Sequence, residues 1–206
     1  YGAEIFIQNK QIASILVHNK TTTEFPISIP IGHSLPANHN PIINNHLIEV
    51  LQRSVYSLGI NNTVCNVDFL IDGNDLFIIE LAARIGGTCI PEIISINTGV
   101  DIYNYLIELA IGGSPDFNPI KNQANASILL TCSQSGLIDN IQVSEKIKKD
   151  TRLMDLALDV TNNSYVSKFN SGSDRVGHLI VKEQSSIEAE KIAKEFAKDI
   201  TFSFAK

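Results

Sequence analysis

Two acidic residues, Asp68 and Glu80, are spaced so that their side chains could act together on one metal ion. They lie in two apolar runs, residues 64–71 and 76–82, and the turn-forming residues between these runs predict a β-hairpin. A turn with an odd number of residues centred on Asn74 would place Asp68 directly opposite Glu80. The Cβ atoms of such a pair are ~5 Å apart, where two negative charges repel unless a cation lies between them.

A hard divalent cation would remove that repulsion. Mg²⁺ takes one or two protein carboxylates and completes its shell with phosphate oxygens and water, which is the arrangement of a nucleotide triphosphate site. Strand alternation places Ala82 and Arg84 on the face of Glu80, so the Arg84 guanidinium could bind a phosphate or a carboxylate through two hydrogen bonds. The pair Gly86 and Gly87 allows successive N–H groups to point at an anion. Periodicity alone leaves one alternative open, an ordinary solvent-exposed hairpin.

The same residues resemble the metal-binding signature of the ATP-grasp carboxylate–amine ligases, which include biotin carboxylases, carbamoyl phosphate synthetases and L-amino acid ligases. The resemblance is carried by the spacing of Asp68 and Glu80 and by the Glu80-x-Ala82-x-Arg84 pattern. Four further segments are similar to parts of that family, namely residues 1–4 to the opening of its second ATP-binding subdomain, residues 84–91 and 98–101 to its amino-acid-ligase branch, and residues 174–181 to the C-terminal domain of that branch.

The resemblance implies an ATP- and Mg²⁺-dependent ligase, with Mn²⁺ as an alternative metal. Such an enzyme phosphorylates a small-molecule carboxylate and joins the acylphosphate to an amine, and an amino acid is one candidate substrate. Asp68 and Glu80 would hold the metal, and Arg84 would stabilise charge on the transferred group. Glu4 is a candidate for the nucleotide region and Arg175 for a substrate carboxylate; an exposed strand glutamate and a solvated loop arginine are the alternatives.

One residue departs from the family pattern, because Ala82 stands where many members carry Asn, an oxygen ligand. Three alternatives therefore stay open: a carbamoyl phosphate synthetase-like activity, a biotin carboxylase-like activity, and a non-catalytic binding module. The resemblance covers nearly the whole chain but only about the C-terminal half of such an enzyme, and the chain begins at Tyr1. We expect a fragment that is inactive without the N-terminal ATP-grasp half of its own chain.

A change of charge along the sequence predicts two domains. Residues 1–113 carry 4 basic and 10 acidic side chains, whereas residues 114–206 carry 12 of each, and the breakers Gly112 to Pro115 separate them. We expect an α+β fold: an ATP-grasp C-terminal subdomain with an antiparallel sheet and flanking helices over 1–113, and a smaller α+β domain over 114–206.

Hydrophobic periodicity predicts the elements of both domains. Strands are expected at 4–8, 12–17, 64–71, 76–82, 126–131, 137–142, 165–169, 177–182 and 200–204. Three helices are expected, one from Asn40 and Pro41 to Gly59, one that begins at Thr98 with Asp101 as its capping-box partner, and one that begins at Ser185 with Glu188.

Composition excludes several classes of function. The formal net charge of −6 argues against a nucleic-acid binder, and no apolar run reaches the ~18 residues of a membrane span. Cys65, Cys89 and Cys132 share no CxxC spacing, which favours buried thiols in a reducing cytoplasm over disulfides or a zinc site. We expect a soluble cytoplasmic protein without nucleic-acid or membrane partners, and a homo-oligomer is compatible with this composition.

Overall fold

The computed structural model describes residues 1–24 and 28–205. The strands are β1 (Gly2–Gln8), β2 (Gln11–Thr22), β3 (Pro30–Leu35), β4 (Thr63–Asp72), β5 (Asp75–Ala82), β6 (Asn125–Leu130), β7 (Gly136–Val143), β8 (Leu153–Leu158), β9 (Tyr165–Val166), β10 (Gly177–Lys182) and β11 (Ile200–Phe204). The helices are α1 (Asn44–Ser57), α2 (Ile90–Thr98), α3 (Ile102–Ala110), α4 (Glu145–Lys148) and α5 (Ser186–Lys198). The predicted α+β class is confirmed.

The chain forms two compact units, each of which is discontinuous in sequence. The first contains residues 1–19 and 35–122, and the second contains residues 20–34 and 123–206. The segment after residue 113 stays with the first unit, where the backbone N–H of Ile120 donates to the carbonyl of Thr98. The domain limit at residue 113 stays a prediction.

In the first unit, four antiparallel strands follow the order β5-β4-β1-β2. Strand alternation divides the side chains of β1 between two faces. One face packs on α1 and forms a buried core of Ala3, Ile5, Ile7, Leu47, Leu51, Val55, Cys65, Val67 and Phe69. On the other face Phe6 contacts the ring of Tyr105 on α3 and that of Phe117. Strand β1 is therefore covered on both sides, and Glu4, which shares the face of Phe6, is buried.

The helix predicted to begin at Thr98 begins later. Thr98 is the last residue of α2, and Gly99 ends that helix with a φ of +79°. Asp101 is itself the N-cap of α3 and accepts a hydrogen bond of 3.0 Å from the backbone N–H of Asn104. The expected capping box was therefore wrong. Helix α2 was missed in the sequence, although Pro91 in its first turn is a typical start signal.

The start of α1 also differs from the prediction. Pro41–Ile43 form a 3₁₀ turn, and the α-helix itself begins at Asn44, without a side-chain cap at Ile43. Its end agrees with the prediction, because Gly59 has a φ of +63° just beyond the last turn. Within the described residues, no helix is long and apolar enough to cross a membrane.

The second unit contains two sheets, with strand orders β3-β6-β10-β8 and β11-β7-β9. Helix α5 contributes Ala189, Ala193 and Phe196 to a buried core with β6 and β10. The sequence prediction missed β3, α4 and β8, and it extended β9, which covers only Tyr165–Val166.

The N-cap of α5 gives a testable expectation. Ser185 accepts a hydrogen bond of 3.2 Å from the backbone N–H of Glu188, as predicted from the capping box. Ser185→Ala removes that acceptor and should lower the free energy of unfolding of the second unit by about 1 kcal/mol, measured by urea denaturation. Ser185→Thr retains a hydroxyl and should stay close to the parent protein. Equal stability of all three proteins would contradict a stabilising cap.

Candidate functional site

Asp68 and Glu80 are direct cross-strand partners on β4 and β5. The turn between the strands is not odd-numbered as expected, because Asp72 pairs with Asp75 around a two-residue turn. That register alone would place Ile79 opposite Asp68. A β-bulge between the pairs Phe69–Ile78 and Asp68–Glu80 takes up the extra residue and restores the predicted pairing. The opposition is confirmed, although the premise about the turn was wrong.

The two acids belong to a row of residues that crosses four strands. Gly2 of β1 pairs with Asp68 on one side and with His18 of β2 on the other. Because Gly2 has no side chain, the His18 ring occupies the space above it, and an added Cβ would lie 2.3 Å from His18 Cε1. Asp68 is half-buried and Glu80 is exposed, so the row opens to solvent at the β5 edge.

A second row lies beside the first on the same face. Glu4 of β1 pairs with Asn66 of β4, and Asn66 pairs with Ala82 of β5. Sequence reasoning did not single out Asn66 or His18. The signal was present for Asn66, which lies two residues before Asp68 and must share its face of β4. For His18 the sequence alone could not show which register β2 adopts against β1.

Glu4 is completely buried, so the alternative of an exposed strand glutamate is wrong. Its Oε1 accepts a hydrogen bond of 2.5 Å from Asn66 Nδ2, and its Oε2 accepts one of 3.2 Å from the backbone N–H of Gly86. The Nε2 atom of His18 lies 3.9 Å from Oε1. Burial raises the pKa of Glu4 to about 7, although the hydrogen bonds from Asn66 and Gly86 favour the charged form.

The segment after β5 is held against this buried carboxylate. The carbonyl of Arg84 accepts from the backbone N–H of Asn66 at 3.0 Å, while the Arg84 side chain is exposed. Gly86 is buried, and a Cβ there would lie 2.6 Å from Glu4 Oε1. Gly87 is exposed, and nothing lies within 4 Å of a Cβ added to it. Only the first glycine is therefore required by packing.

Two left-handed residues, Thr88 and Cys89, connect this segment to α2. Their φ angles are +57° and +66°, which non-glycine residues rarely adopt, and Cys89 is the residue before the first turn of the helix. The segment therefore leaves the sheet beside Arg84 and turns sharply into α2.

Arg175 lies in the second unit and forms an ion pair with Asp159, with a distance of 3.0 Å between Nε and Oδ2. Both side chains are partly exposed. The alternative of a simply solvated arginine is incomplete, because Arg175 has this partner. Its role toward a substrate carboxylate stays a prediction.

The donor set of the acid pair fits a divalent cation that is shared with other ligands. Within residues 1–24 and 28–205, no group of three or more His, Cys, Asp or Glu side chains could hold a metal ion. The site therefore offers the two carboxylates of Asp68 and Glu80. That number is typical of Mg²⁺ sites in which phosphate oxygens and water complete the shell, and it is too small for a closed protein cage.

Comparison with known proteins agrees with this geometry. Residues 128–205 match the family model of the L-amino acid ligase C-terminal domain 2. An uncharacterized protein, y4rH of Sinorhizobium fredii, is 22% identical over 158 residues, which are 77% of this chain and 33% of that protein.

Solved structures cover the whole chain. Phosphoribosylglycinamide synthetase from Anaerococcus prevotii matches 99% of it with a TM-score of 0.89 and 25% identity, over 53% of the synthetase chain. L-amino acid ligase from Bacillus licheniformis matches 100% with a TM-score of 0.82 and 18% identity, over 51% of its length. The biotin carboxylase domain of Hydrogenobacter thermophilus 2-oxoglutarate carboxylase, solved as a dimer with MgADP and bicarbonate, has a TM-score of 0.73 and 13% identity, over 46% of its length.

The chain thus spans about half the length of the solved structures that it matches. It has the fold of the C-terminal region of ATP-grasp ligases, and the resemblance stated from the sequence is confirmed.

The different surroundings of the two adjacent glycines predict different costs of substitution. Gly86→Ala would force a Cβ to within 2.5 Å of Ile90 Cδ1 and 2.6 Å of Glu4 Oε1, and should lower the free energy of unfolding by about 1–3 kcal/mol. Gly87→Ala is the matched control and should stay within about 0.5 kcal/mol of the parent protein. Urea denaturation measures both. Equal costs would show that the carboxylate of Glu4 does not restrict Gly86.

The raised pKa of Glu4 predicts a dependence of stability on pH. The unfolded side chain ionises near its ordinary value of 4.5, whereas the folded one ionises near 7, so the folded state binds the proton more tightly. The contribution of Glu4 to the free energy of unfolding is full below pH 4.5 and is lost as the pH rises to 7, by up to roughly 3 kcal/mol.

Urea denaturation at intervals between about pH 4 and about pH 8 measures this effect in the parent protein and in Glu4→Gln, which cannot ionise. The difference in unfolding free energy between the two proteins should change across that window. Parallel curves would contradict the raised pKa.

Proposed function

We propose that this chain is the part of an ATP- and Mg²⁺-dependent ligase that holds the metal and the phosphates during C–N bond formation. The observation that carries the proposal is the direct pairing of Asp68 with Glu80 on one face of the sheet. The coarser statement, an ATP-grasp ligase fold, rests on the comparisons above. A solved protein with this fold contains MgADP, which supports a magnesium-bound nucleotide here as well.

The residues of the site have electrostatic roles in this proposal. Asp68 and Glu80 bind Mg²⁺ or Mn²⁺ through carboxylate oxygens and face each other without repulsion once the cation is present. The bound metal neutralises charge on the phosphates of ATP. The exposed Arg84 side chain can turn toward a phosphoryl group or a substrate carboxylate, where its planar guanidinium donates two parallel hydrogen bonds.

The glycine segment has a complementary role. Gly86 is fixed from below by Glu4, so the backbone of Gly87 is presented to solvent in a defined place beside Arg84. Its N–H group is a candidate donor to an anionic group of the nucleotide or of the acylphosphate. Positioning and charge neutralisation together account for most catalysis of phosphoryl transfer, so no side chain of this chain needs to act as a nucleophile.

The substrates that we propose are a small carboxylic acid, activated as an acylphosphate, and an amine. An amino acid ligase is favoured by the family model that matches residues 128–205. A biotin carboxylase-like activity has the support of a shared fold alone. A non-catalytic binding module is favoured by Ala82 only. Because the chain spans about half of its solved relatives, turnover is expected from a protein that also contains the N-terminal ATP-grasp half.

The test is substrate-dependent ADP release by a protein that contains both halves. Glu80→Gln removes one negative oxygen from the proposed metal site and should lower Mg²⁺-dependent turnover by a factor of about 100 or more. Asp75→Asn, at the turn of the same hairpin, is the matched control and should retain turnover. Unchanged turnover in Glu80→Gln would contradict the site, and ADP release without any carboxylate or amine requirement would contradict the ligase.

A further inference from the structure

The amide of Asn66 lies between the buried carboxylate of Glu4 and the small side chain of Ala82. Asn66 pairs with Glu4 across β1 and β4 and with Ala82 across β4 and β5. It is two residues from Asp68 with no bulge between them, so both side chains project from the same face of β4. Directly paired and adjacent positions on one face lie within reach of each other's side chains. Asn66 is therefore a close neighbour of the acid pair.

The hydrogen bond to Glu4 determines which way this amide faces. Asn66 Nδ2 donates to Glu4 Oε1, so the amide nitrogen points toward β1. The nitrogen and oxygen of a carboxamide project in different directions from one carbon. With the nitrogen directed to β1, the oxygen is turned away from that strand, toward β5, where Ala82 leaves open space and Glu80 follows two residues earlier.

Glu4 has the chemistry needed to hold this orientation. An ionised carboxylate only accepts hydrogen bonds, and both of its oxygens are engaged, one by Asn66 and the other by Gly86. Its partners therefore have to present N–H groups. Buried groups that orient a metal ligand in this way typically affect metal affinity without touching the metal.

We propose that the Asn66 side-chain oxygen is a third protein ligand of the divalent cation held by Asp68 and Glu80, and that Glu4 is the positioning residue that keeps this oxygen directed to the cation. The inference rests on the proposed function. Neutral amide oxygens are ordinary ligands of hard cations, and a third oxygen on β4 occupies the space that Ala82 leaves on β5.

The variant Glu4→Gln separates orientation from ligand identity. The Gly86 N–H still requires an acceptor, so the substituted side chain has to offer its oxygen to Gly86 and its NH₂ group to Asn66. Asn66 must then rotate its amide to accept, and its nitrogen replaces its oxygen at the cation. All three proposed ligands remain in the sequence, yet affinity for the cation should fall.

The experiment titrates the 206-residue chain with Mg²⁺ at pH 8, above the pKa of Glu4, and follows side-chain resonances by NMR. The carboxamide carbon and NH₂ signals of Asn66 should shift along the same saturation curve as the carboxylate carbons of Asp68 and Glu80. This measurement needs no variant, and it remains decisive where Asn66→Ala does not fold.

Mn²⁺ affinity, measured by electron paramagnetic resonance, gives the second readout. Asn66→Ala and Glu4→Gln should each weaken Mn²⁺ binding by roughly 10-fold. Asn140→Ala, which removes an asparagine from β7 in the other unit, is the control and should bind with unchanged affinity.

The two hypotheses fail in different ways. Shifts at Asp68 and Glu80 without a shift at Asn66, together with unchanged affinity in both variants, would overturn the role of Asn66 and leave the acid pair as the metal site. An absence of cation-dependent shifts at all three residues would overturn the metal site itself and the inference with it.

Discussion

The register between β4 and β5 is the constraint on which the site depends. Side chains alternate along a strand, so a slip of one residue would turn Glu80 to the opposite face and leave Asp68 beside Ile79. The two-residue turn sets the wrong register for the acid pair, and the bulge corrects it within a few residues. The irregularity in the hairpin is therefore as important to the site as the acids themselves, because it decides whether two carboxylates face each other.

Burial of Glu4 connects this hairpin to the segment that follows it. One carboxylate contacts a side-chain amide on β4 and a backbone amide of the Arg84–Gly87 segment, so strand and segment share a single anchor. A buried carboxylate that accepts several hydrogen bonds is costly to ionise, and the raised pKa measures that cost. Groups with strongly perturbed pKa values are concentrated at functional sites, which agrees with the place of Glu4 beside the acid pair.

Much of this arrangement could be predicted from local sequence, and the remainder depends on long-range contacts. Alternating apolar runs identified both hairpins, and the spacing of Asp68 and Glu80 identified the acid pair. Helix α2 was missed because residues 84–91 contain two glycines and a proline, and the left-handed pair before the helix carries no glycine. The burial of Glu4 could not be predicted, since it depends on Asn66 and Gly86, which lie 62 and 82 residues further along the chain.

The interleaved units have a consequence for the history of this fold. Residues 20–34 fold with the second unit although they lie between two segments of the first, and their strand β3 is a neighbour of β6. A single cut in the gene, at residue 113 or anywhere else, would leave at least one unit without a strand or a segment of its own. Recombination could not have exchanged either unit as a simple cassette, so the two have been inherited together.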